Sequence, residues 1–379
     1  MSDALKRLPL IALALLASVA PAHAWGGLGH RTIAGAWVES LPWPLDGLAA
    51  DEAWVVDHVL DPDTRKSTVP GEGVRHYIDI DAYPEYHAGT LPHDRAVLES
   101  WYGAAQVEQW GVVPWAVGEV TDSLTVAMAT GRWDRARLWI ADLCHYVGDL
   151  HQPLHCTLNY DGQLTGNNGI HSRYETRLLD LNAGALILAP GAVTYLADPV
   201  DAAFAIAGAS QVAAAAVLTA DTQARAAAGG STSSGTYYAE LWSRTQTLTL
   251  ARLDGAALST ASFIYTAWAD AGFPPVPNAT VDVSVDAPRV LTLTAGPTPA
   301  RDRVELRFVL PVAASPVFTL LDVRGRRVAR LEAGPQPAGP GRRTWAFGAD
   351  GAGTPAPGIY FVRLSAGGRA TESRVVVTP

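Results

Sequence analysis

Residues 144–155 read Cys-His-Tyr-Val-Gly-Asp-Leu-His-Gln-Pro-Leu-His, and the chain has to be arranged around what that string can hold. His145 and Asp149 are four apart, which on a helix puts both side chains on one face, one turn from each other. Pro153 cannot continue a helix, so the chain turns there and brings His155 back beside the pair. Imidazole with carboxylate is a ligand set that suits zinc. A second pair with the same spacing follows, His171 and Glu175 in HSRYE. Surface histidines and helix salt links are the plain alternative. Acceptor groups aimed at one spot, however, repel one another or require a cation.

The length of 379 residues suggests two domains. A net charge of −9 and a pI near 5.5 exclude a large basic groove that tracks a phosphate backbone, so any nucleic-acid contact is local. Residues 1–24 read as a secretory signal. Lys6 and Arg7 precede an apolar stretch from Leu8 to Ala20, and Ala22-His23-Ala24 forms an A-x-A cleavage site. The mature chain is therefore expected to begin at Trp25 and to be secreted, at the cell surface or in the periplasm. No other stretch reads as transmembrane. Cys144 and Cys156 flank the histidine cluster, and export permits a disulfide between them. Two small buried thiols are the other reading.

The chain after the signal begins Trp-Gly-Gly-Leu-Gly-His. A free α-amino group beside its own carbonyl chelates a metal, and Trp25 with His30 nearby offers that arrangement. The two glycines let the backbone approach an ion closely. Further on, His76 in HYIDID is a candidate ligand, and Asp57, Asp61 and Asp63 precede it in a Pro-containing segment. One of the three is expected to join the site, with Asp79 and Asp81 as acceptors that orient a histidine. Trp110, Trp115, Trp133 and Trp139 read as core. The loop 156–170 is polar and Gly-rich, and its Asn167 and Asn168 either meet a substrate or hold left-handed turns.

Helical spacing dominates up to residue 272, with GGSTSSG at 229–235 as a break and two long helices expected after it. Residues 274–288 are a Pro-rich linker. From 289 to 379 short alternating runs (VLTLTA, VELRFVL, VFTLLDV, RTWAFG, GIYFVRLS, SRVVVT) predict a small all-β sandwich. It contains neither His nor Cys, so no metal chemistry is expected there. The fold class expected is thus a mostly α-helical metalloenzyme domain over 25–273, followed by an Ig-like β-sandwich.

These motifs, WGGLGH at 25–30, HYID at 76–79, HYVGDLHQPLH at 145–155 and GIHSRYE at 169–175, resemble the superfamily of bacterial zinc-dependent phospholipases C and fungal and plant single-strand nucleases. The resemblance covers about residues 25–273. It implies a helical fold with three zinc ions in a cleft. One would take the loop aspartate, His76, His145 and Asp149. A second would take His155, His171 and Glu175. The third would take the amino group and carbonyl of Trp25, His30 and the other oxygen of Asp149. Asp61 fits the spacing of the family's loop aspartate, and Asp63, with Arg65 close behind, fits the local pattern. Asp63 is chosen as ligand and as the group that guides the proton of the attacking water.

The short Trp25–His30 spacing and HYID are similar to the nucleases, whereas Glu175 stands where the nucleases carry Asp. Leu28 occupies the place where the phospholipases have an acid that meets choline. Tyr77 falls where the nucleases stack a base, or packs in the core. The expected activity is hydrolysis of phosphoric esters, on single-stranded nucleic acid, with phospholipid as the alternative. An inactive zinc-binding adhesion protein is the reading from another class. The C-terminal unit resembles flagellar-hook-capping-type Ig-like modules and type IX secretion sorting domains, through TLLDVRGRRVARL at 319–331 and GIYFVRLSAGG at 358–368. That implies cell-surface attachment.

Overall fold

The computed structural model describes residues 25–278, 291–296, 298–312, 314–336, 339–348 and 355–378. The expected signal, 1–24, and the linker from 279 onward lie outside the described residues. The chain divides into two compact units, 1–280 and 281–379.

The first unit is helical and built around the helix Trp133–His151. From Ile140 to His151 every residue of this helix is buried, as expected of a helix enclosed on all sides. Four others pack on it: Gly26–Ala34, Val113–Ala129, Pro199–Ala227 and Gly235–Asp270. Pro114 sits in the first turn of Val113–Ala129, where its missing N–H costs nothing. The two long C-terminal helices start at side-chain caps. Asp198 accepts from the Asp201 N–H, and Ser234 accepts from the Tyr237 N–H. The helix Pro199–Ala227 is long and apolar enough to cross a membrane by length and composition alone. Its Ala203, Phe204, Ala207, Ala214 and Val217 nevertheless lie in the protein core.

The segment 235–270 is one helix rather than the expected two. Gly255 lies in its interior, where the His151 ring packs. A Cβ on Gly255 would come within 2.9 Å of His151 Cε1. This helix and Pro199–Ala227 together close the C-terminus of Trp133–His151. Arg252 Nε donates to the His151 carbonyl at 3.0 Å, and the Ser210 hydroxyl donates to the Leu150 carbonyl. A cation at the negative end of a helix satisfies carbonyls that have no partner within it.

The second unit is an antiparallel sandwich. One sheet has the order β1-β2-β5 (Thr292–Gly296, Arg303–Leu310, Gly339–Ala346) and the other β4-β3-β6-β7 (Arg327–Glu332, Val317–Asp322, Gly358–Ala366, Arg369–Val377). Val304, Leu306, Phe308 and Leu310 alternate inward from β2, and Tyr360, Val362, Leu364 and Ala366 do so from β6. They share one core. The Tyr360 hydroxyl donates to the Ala356 carbonyl at 2.7 Å, the corner bond found where a strand enters such sandwiches. Strand β4 was not among the runs expected. It is an edge strand with Arg327, Arg330 and Glu332 exposed, and that charge hides its alternation.

Candidate metal centre

Six short segments and the central helix bring the acidic and imidazole groups together. His145 and Asp149 project from Trp133–His151. His155 follows on the turn Pro153–His155, His76 ends the turn Gly73–His76, and Asp63 lies on the short helix Asp61–Arg65. His30 comes from Gly26–Ala34, its ring lying against Gly148, where a Cβ would meet Nδ1 at 3.0 Å. His171 precedes a π-helical turn, Arg173–Arg177, that carries Glu175. Such turns commonly mark functional sites.

Three groups of ligand-type atoms result: His30 with Asp63 and His145; His76 with His145 and Asp149; and His155 with His171 and Glu175. Asp149 spans the first two groups. Its Oδ2 lies 2.9 Å from His76 Nδ1 and 3.5 Å from His145 Nε2, and its Oδ1 lies 3.5 Å from His30 Nε2. Asp63 Oδ1 is 3.6 Å from His145 Nε2 and 3.7 Å from His76 Nδ1. In the third group His171 Nε2 and His155 Nε2 are 3.1 Å apart, with Glu175 Oε2 at 2.9 and 3.5 Å from them.

Backbone carbonyls set which ring nitrogen faces inward. His145 Nδ1 donates to the Val59 carbonyl at 2.7 Å, His155 Nδ1 to the His76 carbonyl at 2.6 Å, and His171 Nδ1 to the Tyr160 carbonyl at 3.0 Å. A carbonyl can only accept, so each Nδ1 carries the hydrogen and each neutral ring turns a lone pair on Nε2 toward the cluster. Two such lone pairs face each other and a carboxylate in the third group. Among the described residues, both ring nitrogens of His30 and Oδ1 of Asp149 are buried without a hydrogen-bond partner. Buried acceptors left this way are costly, and a divalent cation satisfies them together. The donor set, imidazole and carboxylate, fits zinc.

The carboxylates agree with that fit and the imidazoles divide: against burial, Asp149 and Glu72 raise His76 and Glu175 raises His171, so a proton competes with an ion at those two rings. Burial, then the neighbouring His30, holds the His145 imidazole well below its usual range and hence neutral. Burial alone would raise the carboxyls, but the imidazoles around them outweigh it. Asp149 is held well below the carboxylate range, Glu175 is lowered, and Asp63, with Lys66 2.6 Å away, falls to about 2. Neutral imidazoles and ionised carboxylates are the forms that bind metal.

Of the loop aspartates, Asp63 is therefore the one the structure brings to the cluster. Asp61 lines a separate cavity of about 620 Å³ with Arg65, Glu72 and Tyr146, and Asp57 is exposed. Trp25 is wholly buried, its ring 5.8 Å from Tyr174 and its carbonyl accepting from the Gly29 N–H at 3.0 Å. Gly26 has φ +52°, and a Cβ there would lie 3.1 Å from the Glu175 carbonyl oxygen, so only glycine permits this approach.

Contrary to expectation, among the described residues the carboxylates of Asp79 and Asp81 orient no histidine of the cluster, because carbonyls do that work for His145, His155 and His171. Asp81 instead accepts from the Thr157 hydroxyl and the Leu158 N–H, both at 2.7 Å. Burial, then Asp81, pushes the Asp79 carboxyl up to about 7. Asn167 faces inward, its amide donating to Asp221 Oδ2 at 2.7 Å and its Oδ1 accepting from Thr165 at 2.7 Å. These bonds anchor the loop. Asn168 is exposed, and its carbonyl is taken by Arg173. Tyr77 is half-buried, with its hydroxyl on the Gln109 carbonyl at 3.1 Å. Cys144 and Cys156 are two buried free thiols, not a disulfide. Burial pushes the Cys156 thiol up to about 12, which leaves it inert.

Two residues were not anticipated. The Gln152 amide donates to Glu175 Oε2 at 3.1 Å, and Glu72 faces His76 Nε2 at 3.6 Å. Glu72 four before His76 repeats the spacing of the other pairs and is the signal that could have revealed it.

No protein-family model and no curated protein sequence matches the chain. Among solved structures it is similar to the alpha-toxin of Clostridium perfringens from an avian strain, at 12% identity over 93% of this chain and 97% of that one, with a TM-score of 0.45. It is also similar to the alpha-toxin of Clostridium absonum, at 11% identity over 94% and 98%, with a TM-score of 0.42. At such values neither likeness assigns an activity.

Proposed function

We propose that the chain is an exported, zinc-dependent hydrolase of phosphoric esters whose substrate is single-stranded nucleic acid. One observation carries the metal reading: His155 Nε2 and His171 Nε2 lie 3.1 Å apart with Glu175 Oε2 beside them, although both rings have already given their Nδ1 hydrogen to a carbonyl. Acceptors so placed need a cation. Zinc, when bound, lowers the pKa of a water and supplies positive charge for phosphoryl oxygens. That charge lets an acidic chain take an anionic substrate.

The residues have distinct duties in this reading. Asp63, His76, His145 and Asp149 hold one ion, and His155, His171 and Glu175 a second. His30, the other oxygen of Asp149, and the amino group and carbonyl of Trp25 hold a third once residues 1–24 are removed. Asp63 stays ionised across the neutral range and accepts a hydrogen from the attacking water. Gln152 steadies Glu175 by its amide bond.

Three features support nucleic acid. Leu28 stands where the resembling phospholipases carry the acid that meets choline. The Trp25–His30 spacing is the short one. Tyr77, half-buried beside His76, offers an aromatic ring where those nucleases stack a base. Phospholipid is the second reading, favoured by Leu158, Tyr160 and Leu164, which are exposed on the loop that leads to His171. The C-terminal sandwich, without His or Cys, serves surface attachment or sorting in this proposal.

The test is a substrate panel on the zinc-loaded chain beginning at Trp25: single-stranded DNA, RNA and phosphatidylcholine vesicles, each with and without chelator. Chelator-sensitive cleavage of DNA or RNA is the expected result. Cleavage of lipid alone would move the assignment to phospholipase C. Turnover of none of them, with zinc bound, would leave a zinc-binding surface protein.

A further inference from the structure

His76 is turned the opposite way from the other histidines of the cluster. In His145, His155 and His171, Nδ1 binds a carbonyl and Nε2 faces inward. In His76, Nδ1 faces inward, 2.9 Å from Asp149 Oδ2 and 3.0 Å from His145 Nε2. Among the described residues its Nε2 has no hydrogen-bond partner, and the group it meets is Glu72 Oε1 at 3.6 Å.

Glu72 is itself held from behind. It is 5% exposed. The Tyr146 hydroxyl donates to its Oε1, and Arg65 Nη2 lies 3.5 Å from the same oxygen. Arg65 in turn grips Asp142 through two bonds, at 3.1 and 2.9 Å. Asp142 and Tyr146 sit on the helix that carries His145 and Asp149. One helix thus supplies both inward-facing groups and the support behind the opposite ring.

We propose that Glu72 is a positioning residue: it accepts the Nε2 hydrogen of His76 and so presents Nδ1 to a divalent ion, with Tyr146 and Arg65 fixing the carboxylate. This rests on the metal reading given above. A carboxylate behind an imidazole fixes its tautomer and raises its basicity as a ligand. The carbonyls behind the other three rings give orientation without charge, so His76 becomes the most strongly donating imidazole of the cluster.

The test is zinc affinity by chelator competition, with elemental analysis, on the chain beginning at Trp25. Glu72→Gln keeps the side-chain volume and an acceptor for Tyr146 but removes the charge. It is expected to weaken one ion about 10- to 100-fold and leave the ion at His155, His171 and Glu175 unchanged. Tyr146→Phe should move the same ion in the same direction by less. A readout independent of any variant is the nitrogen of His76 that binds metal. Long-range proton–nitrogen correlation on the zinc-loaded, unaltered chain should show Nδ1 bound and Nε2 protonated, the reverse of His145, His155 and His171. Unchanged affinity in Glu72→Gln, or binding of His76 through Nε2, overturns the proposal. An unaltered chain that takes up no zinc removes the metal reading itself, which is a different result from a zinc-replete chain indifferent to Glu72.

Discussion

His145→Asn isolates the most shared group of the cluster. His145 belongs to two of the three ligand groups. Asparagine can place its amide N–H where imidazole Nδ1 now donates to the Val59 carbonyl at 2.7 Å, but it has nothing at the position of Nε2. The variant therefore keeps the buried hydrogen bond and deletes only the inward lone pair. One ion is expected to be lost, while His155, His171 and Glu175 keep theirs. At free zinc about 100 times its dissociation constant, one site contributes about 2.7 kcal/mol. For a unit of this size a kcal/mol moves Tm by about 2–4 °C, so zinc should raise the variant's Tm by about 5–10 °C less than it raises the unaltered chain's. Hydrolysis should fall at least about 100-fold, since the lost ion acts directly on the reacting ester. Elemental analysis and zinc-titrated thermal melts are the assays. A variant that retains three ions and the full zinc-dependent rise in Tm would refute the assignment of His145.

Three further outcomes follow from other parts of the helical unit. A chain that keeps Ala24 ahead of Trp25 has no free α-amino group at Trp25, so it should bind one zinc fewer and hydrolyse more slowly; a full complement of zinc would remove the role of the terminus. Arg252→Met keeps an apolar stem but leaves the His151 carbonyl and Ser210 without the guanidinium. A hydrogen bond to a charged group is worth about 2 kcal/mol, and the metal-free Tm should drop by about 4–8 °C; an unchanged melt would show that the helix end needs no cation. Asp79→Asn tests a buried carboxyl raised from 3.8 to about 7 by burial and then by Asp81. Between those values the native state holds a proton that the unfolded chain has released, so stability is present below pH 4 and is lost as pH rises through 7. At about 1.4 kcal/mol per pH unit, Asp79→Asn should stabilise the chain by up to about 4 kcal/mol at pH 8 and by little at pH 4. Denaturant melts with the same difference at both pH values would contradict this.

What could be read in the sequence and what could not divide along a physical line. The i,i+4 pairs, His145 with Asp149 and His171 with Glu175, are local: helix geometry alone sets their faces, even though Glu175 of the second pair turned out to sit on a π turn. The fold class was legible for the same reason, through helical spacing up to 272 and period-two alternation after it. Asp63 was chosen over Asp57 and Asp61 on the local pattern before Arg65, and the short helix Asp61–Arg65 is what brings it to the cluster. The devices that orient the rings were illegible because three of them are carbonyls, which every residue carries, so no side-chain pattern announces Val59, His76 or Tyr160 as an acceptor. Asp79 and Asp81 drew the expectation of that role because they are acidic and close to His76 in sequence, whereas the chain spends Asp81 on the loop 156–170. The expected pair of helices after residue 235 proved to be one, and Gly255 lies where the packing explains it. A glycine inside a helical run lowers confidence in the run, yet here its missing side chain is what admits the His151 ring, and with it the long helix that helps close the end of the metal-bearing one. A glycine that breaks a helix and a glycine that permits contact look the same in a sequence, and only the partner's position tells them apart.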